Sequence, residues 1–327
     1  MRAIVIEQYG GPEQLAIRHL PDPEPLAGHV VIEVKAFGLN HAEIYFRKGV
    51  WGDVAKVSGI ECVGIVKADP AGRFAAGQKV AALMGGMGRA FNGSYAEFTR
   101  VPAANVAPVD TSMSWTDFAA LPESYATAWT CLKRNLALTA GDVLLVRGAT
   151  SALGQAAVNI AVEAGAQVIA STRKSDRLTS LEALGAQTPL LDAPDLSRRI
   201  RELHPRGIDA VLDLIGTSTV LDSLSAARPD GRVCMAGFLG GGEPIHAFDP
   251  LLQMPSGVHF SFFASAFTLG NAEYPLSGIP FQTIADRAEK GIYRAKPAKV
   301  FAFDQIQDAH RLMESNQANG KIVVSVS

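Results

Sequence analysis

The run from Val143 to Gly154 constrains the fold more than any other part of the chain. Its sequence, VLLVRGATSALG, is a short apolar and β-branched segment that ends in a turn of glycine and other small residues. Small and apolar residues then recur at helical spacing from Gln155 to Glu163, and a second apolar strand follows at Gln167 to Thr172. Strand, turn, helix and strand within about thirty residues predict a βαβ unit that places a pyrophosphate at the helix N-terminus.

The residues at the end of the second strand indicate which dinucleotide would bind. In NAD sites an Asp or Glu roughly 20 residues past the turn binds the ribose 2′-hydroxyl. This chain has Ser171, Thr172, Arg173 and Lys174 there, followed by Arg177. Hydroxyl groups and three cations match a phosphate dianion through charge-assisted hydrogen bonds, so the pattern favours NADPH. The alternative interpretation is a solvated, charged start of a helix.

The length and the change of texture along the chain predict two domains. The 327 residues exceed the usual span of one hydrophobic core. The first 120 residues or so are β-rich, and Gly and Pro turns separate short apolar or alternating segments. The strands predicted there are Ala3–Glu7, Gly28–Phe37, Gly64–Ala68, Lys79–Leu83 and Ser94–Val101.

From Leu121 onwards, helical and strand patterns alternate. Strands are predicted near 143–148, 167–172, 189–191, 208–213 and 231–236, which is typical of a doubly wound parallel sheet. His259 to Thr268 is predicted as one further aromatic strand. The tail then returns to the texture of the first region, with a helix at Pro280–Lys290, a strand at Lys299–Ala302, a helix at Asp304–Glu314 and a strand at Lys321–Val326. We therefore predict a nucleotide domain (121–265) inserted into a β-rich catalytic domain (1–120 plus 266–327).

Charge and composition exclude several classes of function. The formal net charge of −2, without a further Lys/Arg cluster, argues against a nucleic-acid or anionic-membrane surface. No apolar run reaches the ~18 residues of a transmembrane helix, and the N-terminus begins with a strand pattern instead of a signal peptide. Cys62, Cys131 and Cys234 are expected to be buried free thiols. These features predict a cytoplasmic protein.

Several short motifs occur along nearly the whole chain in a recognisable order. They are Tyr9–Glu13, Gly38–Asn40, Tyr45–Arg47, Gly93–Glu97, Gly148–Gly154, Asp213–Gly216 and Gly320–Val323. In this order they resemble the medium-chain dehydrogenase/reductases, specifically the zinc-free quinone oxidoreductase (ζ-crystallin-like) branch. The resemblance implies an α/β fold in which a Rossmann NADPH-binding domain is inserted into a GroES-like catalytic domain.

The residues at the metal positions of the zinc-dependent relatives do not suit a metal. Asn40 stands where those relatives carry a Cys, and Ile60 stands where they carry a His. The four-cysteine structural zinc lobe is replaced by the short loop Met84–Arg89. His41 lacks a neighbouring Cys or second His and is expected to be a loop side chain. We predict that no metal is bound.

The resemblance implies an oxidoreductase that reduces quinones or α,β-unsaturated carbonyls with NADPH. Such acceptors are already electrophilic, so hydrogen-bond donors can stabilise the charge that develops on a conjugated oxygen. The resemblance places Asn40 and Tyr45 beside the nicotinamide, with Arg47 nearby. Tyr45 is predicted to donate a hydrogen bond and a proton, and Asn40 to orient the acceptor or the cofactor. The alternative is a packed tyrosine whose hydroxyl bonds the backbone.

Cofactor contacts are predicted from the βαβ unit and from the resemblance together. Backbone N–H groups from Ser151 to Gly154 would meet the pyrophosphate, and the cations after the second strand would meet the 2′-phosphate. The full set of predicted cofactor-binding residues is Thr127, Gly148, Thr150, Ser151, Ala152, Leu153, Gly154, Ser171, Arg173, Lys174, Arg177, Ile215, Phe238 and Leu239.

Two other functions remain open at this stage. One is a 2-enoyl-thioester reductase, although the catalytic segments carry no basic patch for an acidic carrier. The other is a non-catalytic NADPH-binding protein on the same scaffold. The resemblance also implies a homodimer in which the predicted strand at His259–Thr268 pairs with its twin. Trp51–Val54 departs from the usual Pro-rich loop of the relatives, so the substrate preference is expected to differ.

Overall fold

The computed structural model describes residues 1–326 and divides into two compact units. The first unit comprises Met1–Ala126, Ser265–Gly291 and 295–326, and the second comprises Thr127–Ala264 and Ile292–Arg294. The chain therefore leaves the first unit after Ala126, returns to it at Ser265, and enters the second unit again only for Ile292–Arg294.

The first unit is built on a seven-stranded sheet and a separate two-stranded one. Its strands are β1 (Arg2–Ile6), β2 (Leu15–His19), β3 (His29–Gly38), β4 (Glu61–Ala68), β5 (Lys79–Leu83), β6 (Phe98–Pro102), β7 (Val106–Pro108), β14 (Lys299–Ala302) and β15 (Ile322–Ser325). The larger sheet has the order β14-β15-β3-β4-β5-β7, and β6 pairs with β3. β3 is long enough to contact β4, β6 and β15, so it connects the early strands to the last one.

Alternation along β3 explains the core of this unit. Val30, Ile32 and Val34 turn to the same side and are buried with Phe37 in one apolar cluster, to which β15 contributes Val324. The helices of the unit are α1 (His41–Arg47), α2 (Trp115–Phe118), α3 (Pro122–Thr130, which runs into the second unit), α9 (Ser265–Thr268), α10 (Phe281–Glu289) and α11 (Ile306–Glu314).

The second unit is a six-stranded, wholly parallel sheet with the order β10-β9-β8-β11-β12-β13. The sheet grows in opposite directions from β8 and β11, so the topological switch point lies between these two strands. This is the predicted doubly wound Rossmann sheet, and the α/β fold class is confirmed. Its strands and helices are β8 (Val143–Arg147), α4 (Ala152–Glu163), β9 (Gln167–Thr172), α5 (Leu178–Ala183), β10 (Thr188–Leu191), α6 (Leu196–Leu203), β11 (Ile208–Asp213), α7 (Val220–Ala226), β12 (Ala227–Met235), α8 (Pro250–Gln253) and β13 (His259–Phe262).

Two predicted strands are shorter than the sequence pattern indicates. The single strand predicted at His259–Thr268 is wrong, because β13 ends at Phe262 and Ser265–Thr268 forms α9. Phe263 N still donates to Met235 O at 2.9 Å, after which small residues permit a helical turn. The strand predicted at Ser94–Val101 begins only at Phe98.

Two further expectations concern buried thiols and membrane spans. Cys62, Cys131 and Cys234 are buried free cysteines, as predicted. Within residues 1–326, no helix combines the length and the apolar character that a bilayer crossing requires.

Candidate functional site

The turn after β8 has the geometry that the sequence predicts. Gly148 has φ +84°, a backbone conformation that favours glycine. Ser151 is the N-cap of α4: its Oγ accepts from Gly154 N at 3.1 Å and donates to Gly148 O at 2.9 Å. A Cβ on Gly154 would lie 2.5 Å from Gly148 O, so only glycine lets α4 pack this closely on the turn. The helix therefore begins at Ala152, earlier than the predicted Gln155.

The ends of β8, β11 and β12 bring three predicted cofactor residues together. A Cβ built on Gly148 would lie 3.1 Å from Ile215 Cδ1 and 3.5 Å from Leu239 Cδ1. The carboxylate of Asp213 fixes the neighbouring loop by accepting from Ile215 N at 2.9 Å and from Gly216 N at 3.0 Å. This switch point, next to the N-terminus of a twelve-residue helix, suits a dinucleotide pyrophosphate.

The other predicted cofactor residues differ in their surroundings. Thr127 is buried in α3, whereas Thr150 and Leu153 are half-buried at the turn. Phe238 is half-buried, and its ring contacts Phe262 edge to face with centroids 5.7 Å apart. The structure therefore groups the turn with Ile215 and Leu239, and it packs Phe238 against β13.

The predicted 2′-phosphate residues separate into a buried part and an exposed part. Arg173 is exposed, and Lys174 and Arg177 are half-buried after the end of β9. Ser171 is buried, and its Oγ donates to Asp192 Oδ2 at 2.7 Å. The prediction that Ser171 binds the phosphate is therefore corrected, because its hydroxyl is enclosed between β8 and β10 and already bonds a carboxylate.

The same carboxylate belongs to a buried ionic cluster that the sequence analysis missed. We call Arg147, Asp192 and Asp222 the Arg147 cluster. Arg147 Nη2 lies 2.8 Å from Asp192 Oδ1, and Nη1 lies 2.7 Å from Asp222 Oδ2. Arg147 also donates to Ser223 Oγ at 3.3 Å. The one signal in the sequence is an arginine at the end of an apolar strand, which requires buried partners.

In the first unit, Asn40 is the N-cap of α1 and lies in a second buried ionic cluster. Its backbone N–H donates to Glu43 Oε2 at 2.6 Å, and its Nδ2 donates to Glu61 Oε1 at 3.0 Å. Lys321 Nζ donates to Asn40 Oδ1 at 2.7 Å and lies 2.5 Å from Glu61 Oε1. We call Asn40, Glu43, Glu61 and Lys321 the Glu43 cluster. Both ends of the Asn40 amide have partners here, so its polar groups are already bonded within the chain, whereas the prediction has them orient the acceptor or the cofactor.

Burial affects the protonation of Glu43 within this cluster. Glu43 Oε1 accepts from Ile60 N at 3.1 Å, and Glu61 Oε2 accepts from Glu123 N at 2.8 Å. Burial raises the pKa of Glu43 to about 8, although the Lys321 charge and the backbone N–H groups lower it. This cluster was not predicted, because Glu43 belongs to no motif and Lys321 entered only as part of the Gly320–Val323 motif.

Arg47 is the clearest correction to the predicted catalytic residues. Its side chain is fully buried, and it donates to Gly10 O at 2.5 Å and pairs with Glu314 Oε1 at 2.5 Å. Its Nε donates to His310 Nδ1 at 3.4 Å, and burial together with the Arg47 charge lowers the pKa of His310 to about 3. Arg47 thus ties α1 to α11, and its guanidinium is already bonded to partners within the chain.

Tyr45 lies at the start of a row of aromatic side chains. Its half-buried ring stacks on Trp51 with centroids 5.0 Å apart, and Trp51 lies 5.7 Å from the rings of Phe46 and Phe267. Burial raises the pKa of Tyr45, so the phenol keeps its proton and can donate it. In the sequence, Trp51 is recognisable as a departure from the Pro-rich loop of the relatives. Phe267 was predicted to lie in a strand and was not expected beside Trp51.

The arrangement of possible metal ligands bears on the prediction that no metal is bound. Across residues 1–326, no group of three or more His, Cys, Asp or Glu is arranged to hold a metal ion. His41 Nε2 lies 3.4 Å from Asn316 Oδ1, and burial lowers the pKa of this histidine.

Comparison with known proteins agrees with this fold. The family model for the alcohol dehydrogenase GroES-like domain matches residues 26–111, and the model for the zinc-binding dehydrogenase domain matches residues 152–272. A crystal structure described as an NAD-dependent alcohol dehydrogenase is 30% identical, superposes with a TM-score of 0.83 and is covered completely in both chains. The chain belongs to the medium-chain dehydrogenase/reductase superfamily, in its quinone oxidoreductase-like branch.

Curated relatives show how varied this branch is. A 2-haloacrylate reductase of Burkholderia sp is 26% identical over 98% of this chain and 98% of its own length. The human quinone oxidoreductase is 24% identical over 99% of this chain and 97% of its own length. The chain spans only 12% of another relative, a squalestatin tetraketide synthase of Cochliobolus lunatus, with 26% identity over 93% of this chain.

Proposed function

We propose that this protein is a zinc-independent, NADPH-dependent reductase of quinones or α,β-unsaturated carbonyls. The observation that carries the proposal lies at Asn40 and Ile60. The Asn40 amide bonds Lys321 and Glu61, and Ile60 offers an apolar side chain, so the positions of the zinc-dependent relatives' ligands hold an ionic cluster. Without a Lewis acid, an unactivated alcohol or carbonyl lacks the polarisation it needs, whereas a conjugated acceptor does not need it.

Tyr45 supplies the polar chemistry of the reaction in this proposal. The bound cofactor supplies a hydride from nicotinamide C4. The Tyr45 hydroxyl donates a hydrogen bond to the acceptor oxygen on which negative charge develops, and it can also supply a proton. Its raised pKa favours the protonated form that this role requires. The Glu43 cluster has an indirect, positioning role, because it fixes Asn40 at the start of the helix that carries Tyr45.

Three cations after β9 support NADPH as the cofactor. Arg173, Lys174 and Arg177 lie beside the turn after that strand, and Arg173 makes no ion pair within residues 1–326. A guanidinium in this state is available to a 2′-phosphate. Because a 30% identical structure is described as NAD-dependent, the preference needs a direct measurement.

The cofactor experiment compares kcat/KM for NADPH and NADH with a small quinone. We expect Arg173→Ala with Lys174→Ala to reduce the NADPH/NADH ratio by about 10- to 100-fold, since each removes a charge-assisted hydrogen bond. Arg198→Ala is the matched control, because Arg198 is an exposed arginine of the same unit outside this turn. An unchanged ratio in the double variant would refute the assignment.

The acceptor experiment measures initial rates with a small quinone and a short enone, with and without a chelator. Chelator-insensitive turnover supports the metal-free reductase, and the better acceptor identifies the substrate class. An enoyl-thioester reductase is the second candidate, favoured by the similarity to a segment of polyketide synthases; preference for an acyl thioester over both acceptors would establish it. Cofactor binding with no turnover would instead establish a binding protein.

We further propose that a homodimer forms through β13. This strand lies at the edge of the parallel sheet, and Phe260 and Phe262 are both largely exposed on it. Pairing with a second copy would cover both the open edge and the aromatic rings. Light scattering of the purified protein tests this: a monomer at micromolar concentration would refute it.

A further inference from the structure

Arg89 extends the row of aromatic side chains that begins at Tyr45. Its guanidinium carbon lies over the ring of Phe267, 4.8 Å from the centroid. The same ring lies 5.7 Å from Trp51, whose own ring stacks on Tyr45 at 5.0 Å. We call Tyr45, Trp51, Phe267 and Arg89 the aromatic shelf. All four belong to the first unit, and Arg89 supplies the positive charge of the shelf.

The stacked position leaves the polar edge of Arg89 available. Stacking on a ring uses the face of the guanidinium, while its five N–H donors point outwards in the plane. Within residues 1–326 this side chain has no ion pair and no hydrogen bond, in contrast to Arg2, Arg47 and Arg311 of the same unit, which all pair with carboxylates. A guanidinium edge with this geometry matches the two oxygens of a carboxylate.

The backbone around Arg89 holds the side chain's starting point in place. Arg89 N donates to Gly86 O at 3.0 Å, and Arg89 O accepts from Ala55 N at 2.9 Å, so both sides of the peptide are fixed. The nearest acidic residue of the Trp51 loop, Asp53, accepts from the Tyr9 hydroxyl at 3.4 Å. The cation is therefore pre-oriented, and pre-orientation reduces the entropy lost on binding an anion.

The aromatic part of the shelf is open to small molecules. Phe267 is 55% exposed and Trp51 is half-buried, which is unusual for large apolar rings that contact one another. A flat conjugated molecule can stack on such rings, with gains of the order known for aromatic pairs. A carboxylate at one end of that molecule would then meet the guanidinium edge.

We propose that Arg89 binds a carboxylate of the acceptor and that the preferred acceptors are conjugated enones or quinones that carry one. This inference rests on the proposed reductase function and narrows its substrate class. Arg89 is a specificity-determining residue in this arrangement: it anchors the anionic end, Trp51 and Phe267 cover the flat conjugated part, and Tyr45 serves the carbonyl oxygen.

The test compares an enone acid with its own methyl ester, since the pair differs in charge and hardly in shape. The probes are (E)-4-oxo-2-pentenoate and methyl (E)-4-oxo-2-pentenoate, with kcat/KM measured for each. We expect Arg89→Gln to lower the acid/ester ratio by about 10- to 100-fold, as for a lost charge-assisted hydrogen bond at a binding site. Arg100→Gln is the matched control, because Arg100 is a half-buried arginine of the same unit that bonds Glu24 O.

The ratio separates this proposal from a general loss of folding or activity. A folding defect lowers kcat/KM for both probes together and leaves their ratio unchanged. Phe267→Leu keeps the cation but removes its stacking surface, so we expect an intermediate fall in the ratio, about 3- to 10-fold. The methyl ester is intrinsically the more electrophilic probe, so the change of the ratio on substitution decides. An Arg89→Gln acid/ester ratio equal to that of the wild type overturns the proposal.

A binding measurement keeps the inference distinct from the reductase function. Levulinate, the saturated analogue of the acid, is titrated against the full chain while tryptophan fluorescence is followed, and Trp51→Phe assigns the signal to the shelf. If levulinate binds in an Arg89-dependent way but no acceptor is reduced, the proposed function fails and the anion site stands. If the ester is reduced but levulinate binds equally with and without Arg89, the anion site fails and the reductase stands.

Discussion

The Glu43 cluster and the Arg147 cluster differ in how they accommodate two carboxylates beside a single cation. Each holds two carboxylates around one cation inside its own unit. In the Glu43 cluster both Glu43 and Glu61 are 0% exposed, whereas the side chains of Asp192 and Asp222 remain 9% and 17% exposed. The first cluster is thus cut off from water, and the second keeps a route to it.

This difference in exposure affects the protonation of Glu43. Isolated buried carboxylates are costly, and a group without water or a second cation takes up a proton instead. Accordingly, burial raises the pKa of Glu43 to about 8. In the Arg147 cluster, the guanidinium donates to both carboxylates and water can solvate their outer oxygens, so a single arginine suffices. Partial exposure, together with the donors of Ser171 and Ser197, lets one cation serve both anions.

Removing the cation of the enclosed cluster should have the largest effect. Lys321→Met leaves Glu61 buried without its ion pair, and we expect a loss of about 3 to 5 kcal/mol in the free energy of unfolding. Urea denaturation of the full chain measures it. Lys299→Met is the control, because Lys299 is exposed on β14. A loss below about 1 kcal/mol would show that Glu61 finds another proton or partner.

The corresponding change in the second cluster should cost less. Arg147→Met removes the arginine's bonds to Asp192 and Asp222, but both carboxylates can gain water, so we expect a loss of about 2 to 3 kcal/mol. The same denaturation experiment, with Arg198→Met as the exposed control, ranks the two clusters. If Arg147→Met proves more destabilising than Lys321→Met, water access does not govern the comparison.

The pH dependence of stability should depend on Glu43. The folded chain keeps the Glu43 proton up to about pH 8, whereas the unfolded chain releases it near the ordinary value of 4.5. The unfolded state therefore binds fewer protons between these values, and the contribution of Glu43 to stability falls as pH rises through that window, by at most about 1.4 kcal/mol per pH unit.

Glu43→Gln removes this titration and should flatten that part of the curve. Chemical denaturation of the wild type and the variant at several pH values from 5 to 9 measures the difference between the two slopes. Parallel curves across the window would mean that Glu43 is already ionised in the folded protein, held so by the N–H groups of Asn40 and Ile60.

The smallest expected effect concerns Ser171. Ser171→Ala removes one buried hydrogen bond to Asp192 and should cost about 1 kcal/mol of stability. Because its hydroxyl is enclosed, the NADPH/NADH ratio should stay within about twofold of the wild type, unlike that of the Arg173 and Lys174 variant. A large change in the ratio would restore Ser171 as a phosphate ligand.

Local pattern predicted the sheet of the second unit well. The glycine turn, the cap at Ser151 and the strand periods all depend on neighbours within a few residues, so the sequence displays them directly. The length of the edge strand β13 was overestimated for the same reason. The aromatic β-pattern continues past Phe262, but the strand ends there.

Side-chain roles were harder to predict because their partners are distant in sequence. Arg47 meets Glu314 across 267 positions, and Asn40 meets Lys321 across 281. Ser171 meets Asp192 across 21 positions, just past the end of the neighbouring strand β10. Residue type suggested a ligand in each case, and only the fold shows that an internal partner occupies the polar group.

The position of Lys321 in the chain also constrains the order in which the protein can be completed during synthesis. Asn40, Glu43 and Glu61 emerge from the ribosome early, whereas the ammonium group that pairs with Glu61 and bonds Asn40 follows only after the whole second unit has been made. The parallel sheet, with Arg147 and both of its aspartates encoded close together, can form from one continuous stretch of nascent chain. The β-rich unit must wait with an incomplete core, so chaperones that protect nascent chains have their longest task there.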